Sequence, residues 1–134
     1  MISNFKNTFI HIAETVMSKR FKDLDSSDLS RLPCLMDNHF SIGEERIYLH
    51  LWNRKKMHWY ISEYDCTNRR FFGFYENKND GISSGLCSVE DILAYARKGE
   101  AWEPMVDEEW RPVAAKEITS LQGYVNMMRC PPDW

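Results

Sequence analysis

The chain has 134 residues, 43% of them hydrophobic and 13% aromatic, enough for one ordinary globular core and too few for two. Its formal charge of -3 and pI near 5.8 exclude a protein built from a general basic excess to coat nucleic acid, while leaving room for a local basic patch. Cys34, Cys66, Cys87 and Cys130 form no CxxC pair and no zinc-type spacing, so they read as free thiols, and neither a metal nor a cofactor is expected.

From Asn4 to about Leu24, apolar residues such as Phe5, Phe9, Ile12, Val16 and Phe21 recur at spacings of three and four, which predicts an amphipathic helix. Polar residues interrupt every apolar run in this stretch, so no secretory signal or membrane span is expected and a cytoplasmic location follows. Asp25-Ser26-Ser27 offers a cap for a short turn reaching Leu32, and Pro33 breaks it.

The aromatic stretch from Arg46 to Asn77 predicts a three-stranded meander, with connections at Arg54 to Met57 and at Cys66 to Arg69. Pairing Asn53 with His58 and Asp65 with Arg70 puts Leu49, Leu51, Tyr60, Tyr64 and Phe71 on one face. The other then carries His50, Trp52, Trp59, Ile61, Glu63 and Phe74. Both faces are apolar, so both need covers. One is expected from the N-terminal helix, the other from later elements or from a second copy in a homodimer.

A fourth strand is predicted through Ile82 to Cys87 after the turn Asn79-Asp80-Gly81, then a helix opened by Ser88 and stopped by Gly99. Residues 101 to 112 read as irregular, and Lys116 to Met128 as a last helix despite Gly123. The fold expectation is one α+β domain: an antiparallel sheet of about four strands with two or three helices packed on it. Within it, residues 1–30 form a helical extension, 31–118 the core, and 119–134 a C-terminal helix and tail.

Leu32-Pro33, His58-Trp59-Tyr60-Ile61-Ser62-Glu63-Tyr64-Asp65, Phe71-Phe72-Gly73, Gly85 to Ile92, and Glu108-Glu109-Trp110-Arg111-Pro112 occur in an order that resembles the bacterial family known as domain of unknown function 2958. The resemblance covers roughly residues 31 to 118. It implies a setting in phages, plasmids and other mobile elements and supplies no catalytic residue. The chain departs from the family pattern at Cys34, where a second proline is usual, and in its N-terminal helix and C-terminal tail.

Three constellations stand out. Glu100, Glu103, Asp107, Glu108 and Glu109, interleaved with Trp102 and Trp110, suit a loop that docks on a basic host or mobile-element protein. With the mobile-element setting, that makes a non-enzymatic accessory protein, such as an inhibitor of a CRISPR effector or restriction enzyme, the leading functional expectation. Arg54, Lys55 and Lys56 beside Trp52 and Trp59 form the alternative, a nucleic-acid-binding hairpin. His50 and Glu63, diagonal in the expected register, are the weak candidates for acid–base chemistry in a small hydrolase or transferase. The competing reading is structural in each case: tryptophans packed back on the sheet, a solvated hairpin tip, and a buried hydrogen bond.

Overall fold

The computed structural model describes residues 19–35 and 42–129. Among the described residues seven strands form: β1 (Arg46–Ile47), β2 (Leu49–Trp52), β3 (His58–Asp65), β4 (Arg70–Asn77), β5 (Gly81–Ser88), β6 (Met105–Val106) and β7 (Val113–Ala114). Five make one antiparallel sheet in the order β5-β4-β3-β2-β6, while β1 and β7 pair separately. The expected meander and fourth strand are present. β6 was hidden in the segment read as irregular, because two residues carry no alternation to detect.

The first hairpin corrects the expected register. Trp52, not Asn53, lies opposite His58, so the connection runs from Asn53 to Met57. Asn53 is buried and works as the loop's clasp: its Oδ1 accepts from Met57 N at 3.1 Å, and its Nδ2 donates to Trp102 O at 3.2 Å. Lys56 takes a positive φ of 62° to close the turn. A one-residue slip exchanges faces. Trp59 and Ile61 therefore join Leu49 and Leu51 on the first face, while Tyr60 and His58 join His50 on the second. At the far end of β3 Asp65 pairs with Arg70 as expected, but a bulge at Ser62 moves the pairing with β4 one residue off the expected register from Ile61 back to His58.

Each face has its own core. On the first, Leu51, Trp59, Ile61, Tyr64 and Phe71 pack with Phe21, Leu29, Val89 and Ile92. The covers are the 21–32 segment, containing α1 (Ser26–Leu29), and α2 (Val89–Ala94). Asp25 and Asp28 form a reciprocal capping box on α1. The Ser88 side chain accepts from Glu90 N at the start of α2, and Gly99, with φ 133°, ends its 3-10 continuation. On the second face Ile47, Tyr60 and Phe74 pack with Ala115, Leu121 and Val125, the last from α3 (Gln122–Arg129). The chain thus closes the face that the sequence left open to a second copy.

The terminal elements differ from expectation in detail. Residues 1–18, which hold most of the expected N-terminal helix, and the tail after Arg129 lie outside the described residues. Where that helix was to end, Arg20 is extended and pairs with Met105, and Phe21–Asp23 make a 3-10 turn. The last helix starts at Gln122, after 3-10 turns at Ala115–Glu117 and Thr119–Leu121, instead of at Lys116. No helix among the described residues is long and apolar enough to cross a membrane.

Candidate functional site: a basic aromatic hollow at the hairpin end

The β2–β3 and β4–β5 hairpins end side by side, since Trp52, His58, Glu76 and Ile82 form one row across the sheet just before both turns. Beyond that row lies a hollow of about 350 Å³ lined by Arg54, Lys55, Lys56, Lys78, the asparagines 77 and 79, Met57 and Trp102. Four of these side chains are cationic and none is a carboxylate. Arg54, Lys55, Lys56 and Lys78 are all exposed. Trp102 collects further charge: Lys55 Nζ lies 5.2 Å and Lys98 Nζ 4.7 Å from its ring centroid, and its ring runs parallel to that of Tyr95. Arg54 also borders a second hollow, of about 400 Å³, with Arg20, Arg97, Glu100 and Glu103.

This assembly keeps part of the expected nucleic-acid set and changes the rest. Arg54, Lys55 and Lys56 come together as expected. Trp59 is buried in the first core, and Trp52, half-buried in the sheet between His58 and Met105, is not among the residues lining the hollow. Their place is taken by Trp102, brought from a distant loop by the Asn53 clasp. Lys78 and Lys98 were passed over because they stand far from the hairpin in sequence. Arg69 and Arg70, at the other end of the sheet, pair with Glu90 at 2.8 Å and Asp65 at 3.1 Å.

The acidic aromatic loop is divided between surroundings. Glu103 pairs with Lys22 at 3.6 Å and Arg20 at 4.0 Å. Asp107 Oδ2 accepts from His50 Nδ1 at 2.8 Å. Trp110 donates from Nε1 to Ile47 O at 2.9 Å and packs against His50 and Tyr60. Trp110 thus packs into the fold while Trp102 lines the hollow, leaving Glu100, Glu108 and Glu109 exposed.

His50 does meet a titratable neighbour, but a different one from that expected. The slipped register puts it opposite Tyr60, so its diagonal neighbours are Ser62 and His58, and the bulge carries Glu63 on to face Phe72. His50 Nε2 lies 2.9 Å from His58 Nδ1. Because a carboxylate can only accept, His50 donates from Nδ1 to Asp107; while His50 is neutral its Nε2 accepts, and His58 donates from Nδ1. Burial, then the neighbouring His50, pull the His58 pKa below its ordinary value against an opposing pull from Glu76. Glu63 is buried at 5% exposure. The row Asp107-His50-His58 fixes side-chain orientation across three strands' worth of sheet; Tyr60 and Trp110 pack on His50, and Asp107 borders a shallow hollow of about 580 Å³ with Trp110 and Arg111.

Among the described residues, no group of three or more His, Cys, Asp or Glu side chains is arranged to hold a metal ion. Cys34, Cys66 and Cys87 are free thiols, and burial pushes that of Cys87 up to about 11. Set beside protein-family models, curated proteins and solved structures, the chain matches none of them.

Proposed function

We propose that this protein binds the phosphate backbone of a single-stranded nucleic acid at the hairpin end of its sheet. The observation that carries this reading is the hollow itself: Arg54, Lys55, Lys56 and Lys78 converge beside Trp102 with no carboxylate in the lining. Cations of this density attract phosphate, and an aromatic ring within the same hollow gives an unpaired base a surface to stack on. A rigid duplex suits two narrow hairpin tips poorly, whereas a flexible strand can thread between them. The reading is compatible with the phage or plasmid setting implied by the resemblance of residues 31–118. The alternative of an acidic loop docking on a basic protein is less well supported, because Glu103 and Asp107 are already paired within the chain and Trp110 packs on His50 and Tyr60.

Fluorescence anisotropy with a labelled oligothymidylate, titrated across salt, tests the proposal. With three or four phosphates engaged, the slope of log affinity against log salt should lie at about -2 to -3, and Lys55→Ala with Lys56→Ala should flatten it by about 1.4. No binding at about 50 mM salt, or a slope unmoved by the double substitution, would overturn the reading.

A further inference from the structure

The two edges of the main sheet are finished in opposite ways. At one edge β6 is two residues long and is covered by the chain itself: Val106 N donates to Lys19 O at 2.8 Å, Phe21 N donates to Pro104 O at 2.9 Å, and Arg20 bridges to Met105. At the other, β5 runs for eight residues, and among the described residues no backbone group pairs with its outer side. Its sequence, Gly-Ile-Ser-Ser-Gly-Leu-Cys-Ser, contains no charge and no proline, the two devices that ordinarily protect an edge. A Cβ added at Gly81 or Gly85 would meet nothing within 4 Å, and Leu86 is 48% exposed.

We infer that β5 is a dimerisation edge, pairing antiparallel with β5 of a second copy about a two-fold axis to make one continuous ten-stranded sheet. The occupant of such an edge must itself be an extended strand, because the groups to be satisfied are alternating N–H and C=O. A second copy fits for two reasons. The strand is neutral along its whole length, so an antiparallel copy brings no like charges into apposition. Pairing also consumes the open edge of both copies while β6 is already covered in each, so the assembly closes at two chains and cannot grow into a fibre. This dimer forms at an edge, not through the apolar sheet face that α3 fills, and it leaves the hollow between the hairpin tips open.

The test is sedimentation equilibrium of the full chain across a wide concentration range, together with amide hydrogen exchange. A dimer of twice the 15.9 kDa chain mass is expected, with successive amides of residues 81–88 all protected when concentrated and alternate ones exchanging rapidly on dilution. Ser83→Lys with Leu86→Lys places new ammonium groups along the seam and should return the protein to a monomer. A chain that stays monomeric at every concentration would overturn the inference, as would a dimer that survives the paired lysines. If that variant does not fold, the concentration dependence of exchange in the unaltered protein decides alone: protection that does not change on dilution would overturn the inference.

Discussion

His50 and His58 share one hydrogen-bonded proton: Nε2 of the first and Nδ1 of the second are 2.9 Å apart, and the far nitrogen of His50 is held by Asp107 at 2.8 Å. Such a pair tolerates one added proton and not two, because two imidazolium ions would point N–H groups at each other. The lowered pKa of His58 gives this a sign. The unfolded chain takes up a proton near pH 6.5 that the folded protein resists, so the contribution is complete above about pH 6.5 and is lost as the pH falls below it. Denaturant unfolding at pH 7.5 and pH 5 should show the lower midpoint at pH 5, and His58→Gln should shrink the difference. A midpoint independent of pH across that interval would contradict the shift.

Asn53→Ala should cost about 2 to 3 kcal/mol, because it removes both bonds of the loop clasp and leaves the Met57 amide buried without its acceptor. Its second effect is on the hollow: with Trp102 O released, oligonucleotide affinity should fall although no cation has been touched. Paired unfolding and anisotropy measurements read both.

Gly73 has no room for a side chain. A Cβ there would lie 2.0 Å from the Tyr60 carbonyl oxygen, which belongs to the neighbouring strand's backbone and cannot swing aside. Gly73→Ala should destabilise by about 3 kcal/mol or more, read as a lower denaturation midpoint, whereas Gly81→Ser, in open space but at φ 78°, should cost much less.

Trp110→Ala separates a structural role from a docking role. The indole packs on His50 and Tyr60 and donates to Ile47 O, so its loss should cost about 2 kcal/mol or more. Glu108→Gln with Glu109→Gln should leave stability within about 0.5 kcal/mol, since both residues are exposed on a turn. Thermal unfolding of the two variants checks the contrast.

Much of the fold was legible because its signals are local. The aromatic runs, the Asp25 and Ser88 caps, the Gly99 stop and the Asn79-Asp80-Gly81 turn each act within a few residues of themselves. The hairpin register was misread because it depends on a side chain: Asn53 mimics a backbone turn and lengthens the loop, and nothing in the residue types distinguishes a four-residue connection from a five-residue one there. That single slip also misplaced Glu63 relative to His50, and the Ser62 bulge added a second irregularity. The hollow was half legible. Arg54, Lys55 and Lys56 announce themselves as a run, but Lys78, Lys98 and Trp102 reach them through sheet order and the Asn53 clasp, which are long-range facts.

The division of the protein into two cores also sets an order of completion during synthesis. Among the described residues, the segments covering the first face have all been made by residue 106, whereas Ile47, Tyr60 and Phe74 on the second await Ala115, Leu121 and Val125. A nascent chain therefore carries a finished side and a bare aromatic side at once. Its window of vulnerability to misassociation and its need for chaperone shelter close when α3 docks, so lesions in that helix should reduce soluble yield more than they reduce the stability of molecules that have already folded.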